Sequence, residues 1–213
     1  MKRIVIFDMG GVLVDLDVEA CKAAFRDELG YRQAATLIDA CHHKGIVGDL
    51  EEGIIEADEF RRMVLAESRP DAVADDVDKA FWKILSGIEP YKAELLNRMA
   101  ERYDLYMLSN NNQICVPRAA AMFADAGAAL DTVFKKCFFS FEMKALKPAE
   151  MFYRSVVSQI GADPSSMLFI DDSKRNVEGA LASGLPAVYY EPGTDLSAML
   201  AEVLGDPSLR MEV

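Results

Sequence analysis

Residues 4–15 read IVIFDMGGVLVD, and this stretch decides the architecture. Ile4, Val5, Ile6 and Phe7 form an unbroken apolar run closed by an acid and a glycine pair. A run without polar alternation predicts a strand buried on both faces, as in a parallel sheet. Asp8 stands at its carboxyl end, which in open α/β sheets is the edge where ligands bind. Gly10 and Gly11 permit a sharp turn and a close approach of backbone to ligand. Asp8 is therefore read as the reactive group.

Downstream the same design recurs. Residues 105–108 (LYML) predict a second buried strand running into Ser109 and Asn110, and residues 167–170 (MLFI) a third ending in Asp171 and Asp172. Residues 136–140 and 186–190 are further strand candidates. Helical spacing is expected over 90–100, 117–126, 176–183 and 195–204. Lys147-Pro148 is expected to open another helix, with the proline in its first turn. Alternation of this kind implies a parallel sheet with helices on both faces. Asn111 and Asn112 are read as loop formers, Lys174 and Arg175 as solvated, and the tail from Gly205 as fraying.

Between Asp15 and Pro90 the pattern stays helical, with no strand candidate. Ala24, Phe25 and Leu29 fit one apolar face, Leu37, Ile38 and Cys41 another, and Phe60, Met63 and Val64 a third. Val73, Val77, Phe81, Ile84 and Leu85 follow at helical spacing, with Asp71 as the expected N-cap. An all-helical insertion follows, over 16–88, in a core built from 1–15 and 89–213.

With 213 residues, 51% hydrophobic and 27% charged, the chain has ordinary globular composition. Its net charge of −12 argues against nucleic acid or an anionic membrane as partner, and requires local attraction for an anionic substrate. No basic-plus-apolar leader opens the chain and no apolar run reaches eighteen residues, so a cytoplasmic protein is expected. The four cysteines are far apart with no CxxC, and the two histidines are adjacent at His42 and His43. That pattern supports neither a zinc site nor a disulfide framework. The sequence does not specify an oligomeric state.

In a parallel sheet, Asp8, Ser109, Asn110, Asp171 and Asp172 share one rim, and Lys147 lies between the last two strands in sequence. Converging carboxylates repel unless a divalent cation sits between them, and oxygen donors without Cys or His indicate Mg²⁺. A carboxylate can also attack phosphorus to form an aspartyl phosphate. A hydroxyl, an amide and a lysine around the cation suit a phosphoryl group with spreading charge.

These residues resemble the four motifs of the haloacid dehalogenase-like (HAD) hydrolases with a helical C1 cap. FDMGGVLVD resembles the first, LSN the second, the lysine of LKPAEMFY the third and FIDDSKRNVEGA the fourth, in order across essentially the whole chain. The resemblance implies a Rossmann-like core with the inserted helices as a cap. It makes Asp8 the nucleophile and a Mg²⁺ ligand. The Gly10 carbonyl, Asp172 and Asp171 would complete the protein ligands. Ser109 and Asn110 would bind phosphate oxygens, Lys147 would neutralise charge, and the N–H groups of Met9 and Gly10 would face the transferring group. HHKGIVGDLEEG, with His42, His43, Lys44 and Gly45 in a loop between helices, resembles the cap segment that selects substrate.

One position departs from the family. Two residues after the nucleophile, where the family usually carries an Asp acting as general acid and base, stands Gly10. The first reading is a phosphatase of a small phosphorylated metabolite whose leaving group needs little protonation. That favours a sugar 1-phosphate, and capped sugar-phosphate phosphatases with FDxGNVxVD share this glycine. The second is a 2-haloacid dehalogenase, against which the Asp171-Asp172 pair counts. The third is a catalytically weak phosphate- or partner-binding member. The same gap argues against phosphomutase activity, and Asp15 or Asp17 are candidate replacements for the acid.

Overall fold

The structure, a computed structural model, describes residues 3–37 and 45–211. His42, His43 and Lys44 therefore lie outside the described residues.

The chain begins with β1 (Ile4–Phe7), buried throughout, as its unbroken apolar run requires. A tight turn leads to β2 (Asp15–Leu16) and then to five helices: α1 (Val18–Ala23), α2 (Ala34–Leu37), α3 (Gly45–Glu51), α4 (Ala57–Leu65) and α5 (Ala74–Trp82). A π-helical stretch, Ala24–Glu28, continues α1. The chain returns through β3 (Leu85–Gly87), which pairs antiparallel with β2. This two-stranded ribbon corrects the expectation of a strand-free insertion. Elements of two and three residues are too short to show a period.

From there strands and helices alternate: α6 (Pro90–Ala100), β4 (Asp104–Ser109), α7 (Cys115–Asp125), α8 (Leu130–Val133), β5 (Lys136–Phe139), α9 (Ser140–Met143), α10 (Glu150–Ile160), β6 (Met167–Asp171), α11 (Lys174–Ala182), β7 (Ala187–Tyr189) and α12 (Leu196–Leu204). Five strands form one parallel sheet in the order β5-β4-β1-β6-β7. β1 is central, and Phe7 pairs with Met107 on one side and Ile170 on the other. This register brings the carboxyl ends of β1, β4 and β6 to one level. The Asp8 N–H continues the ladder, donating to the Ile170 carbonyl at 2.9 Å.

Two apolar clusters pack the sheet faces, one around Phe7, Leu96, Met107 and Ile170, the other around Ile6, Phe152, Tyr153 and Phe169. A third belongs to the helical insert. Phe25, Phe60, Val77 and Phe81 form it, joined by Ile114 and Cys115 at the start of α7. The insert is further tied to that segment by the Trp82 indole N–H on the Ile114 carbonyl (2.9 Å) and the Ala57 N–H on the Gln113 amide oxygen (2.7 Å). Where the two passages join, buried Lys92 on α6 bonds Asp15 at 3.2 Å and Glu89 at 2.9 Å.

Several local expectations are corrected. Met63 and Val73 are exposed. Val73, not Asp71, is the N-cap of α5, because Asp71 pairs with Arg69 at 2.7 Å. Gly45 opens a helix, α3, rather than lying in a loop. Pro148 follows a cis peptide and lies before α10, outside its first turn. No helix among the described residues is long and apolar enough to cross a membrane.

The tail to Met211 is anchored. Leu209 is fully buried, and Asp206 accepts hydrogen bonds from the Ser208 hydroxyl (2.7 Å) and the Tyr103 hydroxyl (2.8 Å) and pairs with Arg102 at 2.9 Å. These partners hold its carboxyl down at about 2, against an ordinary 3.8. The charged form is the stabilised one, so its contribution is present above about pH 4 and fades as pH falls through about 2. Asp206→Asn is expected to lower Tm at pH 7, with the gap to the parent closing in acid. Thermal melts across that range check it.

Candidate active site

Asp8, at the end of the central strand, is almost completely buried, and so is Lys147 on the segment leading into α10. The Lys147 ammonium lies 2.7 Å from Asp8 Oδ2 and 2.7 Å from Asp171 Oδ2, bridging the ends of β1 and β6. Burial opposes a charge on Lys147, but Asp171 and Asp8 outweigh it and hold its pKa above the usual lysine value. Burial pushes Asp8 up to about 7 against the pull of Lys147, with Asp171 and Asp172 adding repulsion. Asp172 is raised as well, by burial first and then by Asp171.

Carboxylate oxygens of Asp8, Asp171 and Asp172 fall within 4.8 Å of one another. Their environments differ. Asp171 has no exposed surface, and its oxygens accept from Lys147, the Ser173 N–H (2.8 Å) and the Asn176 amide (3.0 and 3.2 Å). Asp8 and Asp172 line the cavity; Asp171 does not. Of the glycine pair, Gly11 carries the backbone demand. Its φ is +73°, and a Cβ there would lie 2.1 Å from Asp172 Oδ2, so a side chain would evict the acid.

The Met9 N–H donates to Asp8 Oδ1 at 2.7 Å, as a buried carboxylate takes a near donor. Asn110 lines the cavity, yet its amide grips the Lys147 backbone both ways. Its oxygen accepts the Lys147 N–H at 2.8 Å, and its nitrogen donates to the Lys147 carbonyl at 3.1 Å. Asn110 thereby fixes the lysine. Ser109 is buried and lines the cavity. Asn112 caps the start of α7 through the Ile114 and Cys115 N–H groups at 3.0 and 2.9 Å, a structural role matching its reading as a loop former. Sequence reasoning does not reach Asn176, although it sits inside FIDDSKRNVEGA; five residues after Asp171, its side chain points back from the first turn of α11. Arg175, read as solvated, is exposed and also borders the cavity.

The cavity measures about 600 Å³ and lies between the sheet rim and the helical insert. Its floor is Asp8, Asp172, Lys147 and Ser109; its far wall includes Leu37, Val47, Phe81, Ile84 and the acid Glu51. Two buried acids held by one lysine, with a third acid facing the same space, can present a carboxylate nucleophile beside an oxygen-lined cation site. The model of the haloacid dehalogenase-like hydrolases matches residues 2–184. This chain belongs to that family.

Among relatives of this HAD hydrolase is the D-ribitol-5-phosphate phosphatase of Bacteroides thetaiotaomicron, 28% identical over 205 residues, 96% of this chain and 99% of the relative. A solved HAD family enzyme from the same organism, an alanine mutant in complex with magnesium and inorganic phosphate, superposes with a TM-score of 0.88. It is 29% identical and covers 94% of this chain and 99% of its own. A predicted HAD-like hydrolase from Porphyromonas gingivalis gives a TM-score of 0.86 at 28% identity, over 96% and 98% of the two chains.

Proposed function

We propose that this HAD hydrolase is a Mg²⁺-dependent phosphatase acting in the cytoplasm on a small sugar or polyol phosphate through an aspartyl phosphate on Asp8. The observation that carries it is the grouping of Asp8, Asp171 and Asp172, with the Lys147 ammonium bridging the first two. The likeness to a ribitol-phosphate phosphatase and to a magnesium–phosphate complex supports the same reading.

The donor set fits Mg²⁺. All three acids offer hard oxygens, and the burial that raises Asp8 and Asp172, with a smaller share from mutual repulsion, is a cost that a divalent cation would offset. Asp8 and Asp172, which face the cavity, are assigned as carboxylate ligands with the Gly10 carbonyl. Asp171, saturated by Lys147, Ser173 and Asn176, is assigned to hold the lysine and the fold of the rim. The bound cation would supply charge neutralisation for the phosphoryl oxygens. Lys147 neutralises the nucleophile's surroundings and draws the phosphate in despite the chain's net negative charge. Ser109 is assigned to donate its hydroxyl to a phosphate oxygen, and the Gly10 N–H to face it. Residues 16–88 are assigned as a cap that closes the cavity, excludes water and selects the leaving group, with His42, His43, Lys44 and Gly45 in its selecting segment. The Asp171-Asp172 pair counts against a dehalogenase.

The test is a phosphate-release assay on a panel holding ribitol 5-phosphate, a sugar 1-phosphate and its 6-phosphate, with and without Mg²⁺. Cation-dependent release from at least one member is expected, and its absence across the panel with each of several divalent cations overturns the proposal.

A further inference from the structure

We infer that Glu51, the last residue of α3, supplies the acid–base carboxyl that position 10 lacks. The inference rests on the phosphatase reading and deepens it.

The nearer candidates do not reach the cavity. Asp15 pairs with the buried Lys92, and the Asp17 side chain accepts the Ala20 N–H as N-cap of α1. Neither borders the cavity. A Cβ at position 10 would come within 2.9 Å of Leu16 Cδ1, the tip of an exposed side chain that would swing aside. Among the described acids, three line the cavity: Asp8 and Asp172 on its floor and Glu51 from the insert. The floor acids are taken by nucleophilic attack and cation binding. Glu51 alone reaches the cavity from the helical insert, across from the floor that carries Asp8. Its charge is felt at Cys115, a thiol on the same cavity wall.

Glu51 is also held in the frame of the core. The Ser140 hydroxyl donates to the Glu51 carbonyl at 2.5 Å and accepts the Asn111 N–H at 3.0 Å, two residues beyond Ser109. Just past it, Gly53 lies with φ +68° where a Cβ would meet the Phe141 carbonyl oxygen at 2.3 Å, and Lys144 donates to the Gly53 carbonyl at 2.5 Å. The end of α3 is thus seated directly on the segment of the rim that carries Asn111 and Ser140. An acid–base group requires such fixed placement.

The steps balance. An Asp8 oxygen bonds to phosphorus as the ester P–O bond breaks, and the Glu51 carboxylic acid gives its proton to the departing alkoxide. The Glu51 carboxylate then takes a proton from water as the water oxygen bonds to phosphorus. The bond from phosphorus to Asp8 breaks, phosphate leaves, and Glu51 is again protonated.

The experiment compares the parent, Glu51→Gln, Glu51→Asp and Asp8→Asn, all with Mg²⁺, on p-nitrophenyl phosphate and ribitol 5-phosphate. Nitrophenolate departs without a proton; an alkoxide does not. Glu51→Gln is expected to lose roughly 10²–10⁴-fold in kcat on the alkyl ester. On the aryl ester it should keep the rate of the first nitrophenolate burst and accumulate phosphoenzyme, while Glu51→Asp recovers part of the alkyl activity. Equal losses in the alkyl rate and the aryl burst, or an unchanged alkyl rate, overturn the assignment of Glu51 alone. Where the parent turns over another alkyl ester of the panel instead, that ester replaces ribitol 5-phosphate, and only a parent inactive on the whole panel overturns the phosphatase reading and this inference with it.

Discussion

Asp8→Asn is expected to remove Mg²⁺-dependent turnover, by roughly 10⁴-fold or more, on every phosphate ester the parent accepts. The amide keeps the shape of the carboxylate, and its single oxygen can still accept from either the Lys147 ammonium or the Met9 N–H, which in the parent sit on different oxygens. It cannot attack phosphorus or carry a ligand charge to the cation. Because burial works against the charge at this position, the neutral variant should fold as well as the parent. Phosphate release measured beside a thermal melt separates the two effects. A variant that melts normally and still turns over at a tenth of the parent rate would remove Asp8 from the chemistry.

Lys147→Ala is expected to fail in both respects. It leaves Asp8 and Asp171 buried, close together and without their shared cation, a loss of about 3–5 kcal/mol for one partner of a buried pair. Activity should fall by at least about 10²-fold, since the cation that stabilises charge at the transferring group is gone. The double variant Lys147→Met with Asp171→Asn removes one of the two orphaned charges, and chemical denaturation should show it recovering part of the stability. Activity should not return with it. Equal stability of the single and double variants would show that the lysine is not held by these two acids.

The strand that organises the fold is readable in full, because four consecutive apolar residues admit few other arrangements. Asp8, Ser109, Asp171 and Asp172 are readable for a related reason: parallel pairing levels the strand ends, so residues far apart in sequence must meet at one rim. Hydrogen-bond choices are not written in that pattern. Nothing in LSN says that the Asn110 amide turns to the Lys147 backbone, and nothing in FDMGG says that the Met9 N–H folds onto its own neighbour's carboxylate. Both depend on which donor is nearest once the chain is packed. Asn176 required knowing that the first turn of α11 points back at β6. Glu51 required more, since its place follows from how the helical insert lands on Ser140 and Gly53, a contact between segments about ninety positions apart. The hinge ribbon escaped for want of length.

Leu16 occupies the space beside the Gly10 α-carbon and also borders the cavity. A side chain at 10 would push the exposed Leu16 tip aside, and because that tip also borders the cavity, such a change would alter the mouth through which a substrate enters.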